Sequence, residues 1–303
     1  MNSTLLKQGF NAGVIVFAVA SLIAIPLRTV QYFTVIEAET GFYSEKSFSV
    51  YLFAAVIIAA IVLFGLLGFA KRKSLCYSTA PEKRAGFGAL AGLSAAGFVF
   101  DVFGCLEELG SDKYEMIEYA YQSEEVSALA TAATLTKVQL VFAAVSAFYF
   151  LILCLCNLIG KAVPKAFCLF SLSPVIWGIA KLVLRFTRTI SYIQVSDLML
   201  EMLSLVFVVM FFMAFAQLEF GVSDKGCEWR IAFYGLSASV LLLLCFIPRF
   251  IVTVSGNPEL VYSMSKVEYS DICLALFTLC AVVTRLSDKK AQNDESEKVE
   301  AEV

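Results

Sequence analysis

Residues 49–73 read SVYLFAAVIIAAIVLFGLLGFAKRK. No charge interrupts positions 49–70. A helix over such a run, rising about 1.5 Å per residue, covers roughly the 30 Å of a bilayer's hydrocarbon. The basic cluster Lys71-Arg72-Lys73 then marks the side on which the run ends, because lysine and arginine resist translocation. This stretch decides the fold class: an all-α, polytopic membrane helix bundle.

Runs of the same kind recur along the chain. The sequence predicts about eight spans, over residues 10–35, 49–70, 85–105, 138–160, 166–187, 199–219, 231–254 and 270–286. The fifth is interrupted by Lys181 and Arg185, and the eighth is short. Composition agrees, with 59% hydrophobic and only 16% charged residues and a mean hydropathy of +0.80. A water-soluble fold of this length has no interior large enough to hide that much apolar surface. Lys7 followed by an apolar run and Ala18-Val-Ala20 imitates a cleavable signal. Hydrophobicity continues through Leu22 to Ile25, however, as in a retained anchor, so residues 1–35 are expected to stay.

Charge in the short loops sets the expected orientation. Lys71, Arg72, Lys73, Lys83 and Arg84 lie between spans two and three, and Lys161 and Lys165 between four and five, so those loops are read as inside. The segment 107–125 carries Glu107, Glu108, Asp112, Glu115, Glu118, Glu124 and Glu125 against one Lys113, and is read as outside. Both termini are then cytoplasmic, in a protein of the cell membrane. The expected organisation is a transmembrane helical domain over 1–286 and a disordered acidic cytoplasmic tail over 287–303.

Several chemistries are excluded by what the chain lacks. It contains no histidine, which removes His-ligated metals, Ser-His dyads and imidazole relays. No phosphate-binding glycine loop, dinucleotide fingerprint or H-E-x-x-H motif occurs. The nine cysteines cannot all pair, and most lie within spans, where they act as small apolar residues. Cys154 and Cys156 point to different faces of their helix and make a poor metal site. No cofactor and no metal are expected, nor an enzyme. Nucleic-acid binding is disfavoured by the net charge of −3 and by basic residues set against the membrane, where they are suited to anionic lipid headgroups.

A weak repeat organises the spans. Gly92-Leu-Ser-Ala-Ala96, Gly235-Leu-Ser-Ala-Ser239 and Phe170-Ser-Leu-Ser-Pro174 occupy matching depths, and Arg28, Arg185 and Arg249 close three of the odd spans, with Asp101 in the remaining one. Four helical hairpins follow, although apolar composition by itself generates part of the similarity. Gly88 and Gly92 form a G-x-x-x-G step suited to close helix packing within one bundle. Pro26, Pro174 and Pro248 are expected to kink spans one, five and seven.

Charges at membrane depth carry the functional reading. An ionised group in hydrocarbon costs several kcal/mol unless paired or hydrated. Lys181, Arg185 and Arg188 share one helix face, Asp197 and Glu201 share another at the start of span six, and Asp101 lies on span three. Arg249 has Glu268 and Asp271 across its own loop, and Arg28 has Glu37, Glu39 and Glu45. In one reading these are staples and anchors, with Arg28, Arg249 and Asp271 at the headgroups. In the other, Asp101, Lys181, Arg185, Arg188, Asp197 and Glu201 line a site for an ion or charged metabolite.

The stretch Arg28-Thr-Val-Gln-Tyr32 with Glu37-Ala-Glu-Thr-Gly-Phe-Tyr43 resembles bacterial multi-pass membrane proteins of no assigned activity. The resemblance implies a membrane location and no activity. The sequence therefore leads to a membrane protein that binds a small charged solute in the manner of a transporter or permease. The alternative is a non-catalytic subunit or sensor acting through a protein partner. The lipid bilayer is a partner in both.

Overall fold

The structure is a computed structural model that describes residues 11–36, 43, 47–77, 84–110, 124–187, 195–222, 228–257, 260–261 and 267–288. Among these residues the α-helices are α1 (Asn11–Thr34), α2 (Phe48–Ala70), α3 (Ala85–Leu109), α4 (Glu124–Ile159), α5 (Ser173–Thr187), α6 (Val195–Glu219), α7 (Trp229–Val254) and α8 (Tyr269–Arg285). Among the described residues seven segments are long and apolar enough to cross a membrane. α8, at 17 residues, reaches about 25 Å. The chain is an all-α polytopic bundle, and its apolar helices fit a lipid bilayer.

Each consecutive pair of helices packs as a hairpin: α1 on α2, α3 on α4, α5 on α6 and α7 on α8. Further contacts join α4 to α5, α6 to α7 and α8 to α3, so α3 to α8 close into a ring. α1 and α2 lie against α7 from outside that ring. α7 is consequently the most enclosed helix, with 78% of its most apolar window buried against 22% for α2. α2 shows the lipid-facing case. Phe53, Ile57, Ala60, Phe64 and Gly68 recur every three or four residues and turn inward, whereas Tyr51, Ile58 and Leu66 remain exposed.

We call upper the end at which the odd-numbered helices finish and lower the end at which they begin. Between the two ends the ring is filled by aromatic side chains. Phe150 of α4 has Phe98 of α3, Phe212 of α6 and Phe277 of α8 at centroid distances of 5.4, 5.8 and 4.9 Å. Trp177 of α5 joins edge-on at 4.9 Å from Phe98. Edge-to-face pairs of this kind each add about 0.5–1.5 kcal/mol beyond area burial.

The glycines of α3 admit its neighbours. A Cβ at Gly88 would lie 3.2 Å from the Cys154 carbonyl of α4, and one at Gly97 only 2.9 Å from Cys273 Cβ of α8. The G-x-x-x-G face therefore packs within its own hairpin.

Several features depart from the sequence expectation. α4 starts at Glu124 rather than near 138, because the alanine-rich stretch Ala128–Ala133 favours helix although its flanks are too polar for hydrocarbon. The fifth span is a composite. Residues Lys165–Phe167 and Leu169–Leu172 form 3-10 turns, in which Ser171 and Ser173 donate to the Cys168 and Phe170 carbonyls, and a regular helix begins only at Ser173. Pro174 thus sits in the first turn of α5, where its missing N–H does no harm, while Pro26 and Pro248 lie inside α1 and α7. At the lower end Leu75–Tyr77 pairs antiparallel with Leu286–Asp288, tying the segment after α2 to the end of α8. Positions 289–303 of the expected tail lie outside the described residues.

Candidate functional site: a chain of alternating charges

At the upper end, acidic and basic side chains from five helices and from the residue just before α8 meet in one continuous chain. It begins on α3 with Asp101. Trp177 Nε1 and Ser270 Oγ each donate to its carboxylate at 2.8 Å, and Lys181 Nζ lies 3.7 Å away. Lys181 also lies over the Trp177 ring, 4.9 Å from its centroid, and donates to Glu268. Glu268, immediately before α8, accepts from Arg185 Nη2 at 2.6 Å through its other oxygen. Arg185 Nε in turn lies 3.3 Å from Glu201.

The chain continues into α7 and α1. Arg249 Nη1 donates to Glu201 at 2.5 Å, and its Nη2 lies 3.7 Å from Asp197. Asp197 accepts from Arg28 of α1 and, at 2.6 Å, from the Tyr32 hydroxyl. Arg28 ends the chain with Gln31 Oε1 at 3.2 Å and the Tyr43 hydroxyl at 2.8 Å as further acceptors. The order is Asp101, Lys181, Glu268, Arg185, Glu201, Arg249, Asp197, Arg28. Signs alternate throughout, so each of the three inner carboxylates is held between two cations.

Local sequence explains why the side chains converge. Lys181 and Arg185 are four residues apart on α5, as are Asp197 and Glu201 on α6, so each pair projects from one face. The lead-in of 3-10 turns ends below them, leaving the charged part of α5 as regular helix. Arg249 follows Pro248 on the most enclosed helix, and it is only 2% exposed.

The structure therefore brings Asp101, Lys181, Arg185, Asp197 and Glu201 into one network. Arg188 lies outside the described residues, as do Glu37, Glu39 and Glu45. Arg28 and Arg249 are not headgroup anchors: both are buried, and each binds an acid of α6. Glu268 pairs with α5 and not with Arg249. Sequence reasoning missed Trp177 and Ser270 as partners of Asp101, since neither carries a charge. Charges of this depth stay ionised only where their neighbours compensate for lost water.

A smaller polar cluster occupies the lower end and was not anticipated. Arg285 Nη2 donates to Asn157 Oδ1 at 2.8 Å, lies 3.9 Å from Glu219 and covers the Phe87 ring at 4.6 Å. The Tyr77 hydroxyl donates to Glu219 at 2.9 Å. Burial first, and the Glu219 carboxylate second, push the Tyr77 phenol well above its ordinary value. Among the described residues no group of three or more Cys, Asp or Glu side chains is arranged to hold a metal ion. Comparison with protein families, with curated proteins and with solved structures finds no match.

Proposed function

We propose that this integral membrane protein binds a small charged solute at its upper end, in the manner of a transporter or permease, with the chain of alternating charges acting as the closed form of the binding site. The observation that carries the reading is the double sharing of three carboxylates: Glu268 between two cations of α5, and Glu201 and Asp197 each between cations of different helices. An ionisable cluster at membrane depth is costly, and an apolar core of equal volume would hold the bundle at least as well. A shared carboxylate, however, can be exchanged for a solute's charge without stranding its cation. By the chemistry of Lys181 and Arg185 the solute is an anion. Glu268, the most accessible member at 23% side-chain exposure, is the group it displaces. The orientation we propose, with both termini cytoplasmic in the cell membrane, places this end outside.

The second reading is a non-catalytic membrane subunit or sensor, for which these charges are structural. The direct contact of Lys181 with Asp101 favours it. Thermal unfolding of the purified protein in detergent, against a panel of ions, amino acids, nucleosides and vitamins, separates the two. A binding solute at a hundred times its Kd raises stability by about 2.7 kcal/mol. We expect an anion to stabilise the wild type, to lose its effect in Arg185→Ala, and to act at lower concentration in Glu268→Gln, which removes the competing internal carboxylate. No shift in wild type or Glu268→Gln, with Asp101→Asn and Arg185→Ala merely less stable, overturns the solute reading and turns the search to protein partners.

A further inference from the structure

The lower ends of α2 and α7 meet at the surface of the bundle. Gly68 of α2 allows the approach, since a Cβ there would lie 3.4 Å from the carbonyl of Trp229, the first residue of α7. Phe69 and Trp229 stand edge to face with centroids 5.9 Å apart, and the Arg72 guanidinium lies over the Phe69 ring at 4.3 Å. Arg230 follows Trp229 directly. Both arginines are exposed, and among the described residues neither forms an ion pair, with Glu228 just before α7 or with any other acid. They differ in this from the arginines of the upper chain, each of which is answered by a carboxylate. Above Arg72 on α2, Val62, Leu66 and Phe69 follow the four- and three-residue spacing of one helix face, and all three are exposed. Because α2 is a membrane span, this stripe meets acyl chains, and it ends at Arg72, where headgroups begin.

We propose that this corner is a binding site for one anionic phospholipid of the lower leaflet, with Arg72 and Arg230 on the headgroup phosphate and an acyl chain along Val62, Leu66 and Phe69. Guanidinium donors suit phosphate oxygens, and a tryptophan between them sits at the level where its ring is favoured, the boundary of hydrocarbon and headgroup. The adjoining Lys71 and Lys73 draw anionic lipid to this part of the surface. A phosphate dissolved in water would use the same two arginines but would leave the apolar stripe without a role. The continuity of that stripe with Arg72 is what selects a lipid. Its two arginines belong to different elements, so the bound lipid fastens the α1–α2 hairpin, which lies outside the ring, to α7. The inference does not depend on the solute reading, which concerns the other end of the bundle.

The test is titration of phosphatidylglycerol into the purified protein in detergent, read by thermal unfolding, beside phosphatidylcholine and inorganic phosphate. We expect phosphatidylglycerol to raise the wild type's melting temperature where phosphatidylcholine at the same concentration does not. Arg72→Gln combined with Arg230→Gln is expected to need roughly 30-fold more phosphatidylglycerol for the same rise, the product of about fivefold from each basic residue at a membrane surface. Lys161→Gln combined with Lys165→Gln, which neutralises two exposed lysines elsewhere at the lower end, is expected to respond as the wild type does. A wild type that does not distinguish the two lipids overturns the proposal, as does an arginine variant that responds like the wild type. An equal loss in the lysine variant overturns it too, because the effect is then one of general surface charge. So does a rise with inorganic phosphate that the arginine variant loses, which makes the ligand a soluble anion. A second measurement needs no variant. Trp229 and Trp177 are the chain's two tryptophans, and Trp177 is enclosed within the ring, so phosphatidylglycerol with brominated chains is expected to quench tryptophan fluorescence more than brominated phosphatidylcholine at the same mole fraction. Equal quenching by the two lipids overturns the site.

Discussion

The two ends of the bundle handle buried charge differently. At the upper end, eight charges from α1, α3, α5, α6, α7 and the start of α8 neutralise one another, and the inner carboxylates divide themselves between cations. At the lower end, Arg285 and Glu219 stand 3.9 Å apart, and the neutral groups Asn157, Tyr77 and the Phe87 ring also contact them. A short β ladder fixes the backbone beside them. We read the lower arrangement as a staple, in which neutral hydrogen bonds and the ladder register hold the backbone. The upper one has alternatives, because exchanging one ion pair for another changes little in total charge. The aromatic filling separates the two. This contrast is what places the binding site at the upper end in our proposal.

The comparison breaks most easily at Arg249. Arg249→Ala leaves Glu201 and Asp197 with one cation each at a fully enclosed position, and removing one partner of a buried ion pair costs about 3–5 kcal/mol. We expect a fall of that size in unfolding experiments in detergent. The double substitution Arg249→Met with Glu201→Leu removes a cation and an anion together and is expected to recover most of the loss. If the single and double variants are equally unstable, the chain of charges is not what holds α7 to α6.

At the lower end the matching change is Arg285→Ala. Glu219 keeps the Tyr77 hydroxyl as a donor, so the loss is that of a hydrogen bond to a charged group, about 1.5–3 kcal/mol. The same unfolding assay reads it, and a value equal to that of Arg249→Ala would erase the distinction between staple and network. Gly97→Ala probes the seam between the ends. The new Cβ would meet Cys273 Cβ at 2.9 Å and Ser270 Cα at 3.3 Å, which pushes α8 from α3 just below the bond from Ser270 to Asp101. Overpacking of this kind costs about 1–3 kcal/mol. It is expected to weaken anion binding as well, which Gly86→Ala, with open space around its Cβ, is not.

The sequence made the helices legible because each needs only a local property, an apolar run of sufficient length. Spans such as 49–70 and 231–254 lie within two residues of the helices that form, Phe48–Ala70 and Trp229–Val254. Where a second local property competed, the reading slipped. Serines and prolines turned the lower half of the fifth span into 3-10 structure, and alanines carried α4 beyond the hydrocarbon. The site was legible only where helix periodicity sufficed, as for Lys181 with Arg185 and for Asp197 with Glu201. Arg28 finds its partner 169 residues away on Asp197, a contact fixed by α1 lying against α7 and its neighbours rather than by anything near Arg28 in the chain. Charge alone pointed Arg249 to its own loop, because sequence proximity was the only available guide.

The smallest expected effect sharpens the account of the lower end. Tyr77→Phe removes the hydroxyl that donates to the Glu219 carboxylate and costs about 1.5 kcal/mol at neutral pH, the low end for a hydrogen bond to a charged group, because Glu219 keeps Arg285 beside it. Burial and Glu219 hold the Tyr77 proton on far above the ordinary tyrosine range, while the unfolded chain gives it up near pH 10, so the unfolded state binds fewer protons there. The contribution of Tyr77 is therefore fully present below the unfolded value and is lost as pH rises through and beyond it. Unfolding curves at neutral and at alkaline pH should show wild type and Tyr77→Phe converging, the variant having nothing to lose at this position. A constant gap between them at both pH values would mean that the phenol is exposed to solvent, and that the β ladder, not the bond to Glu219, closes the lower end.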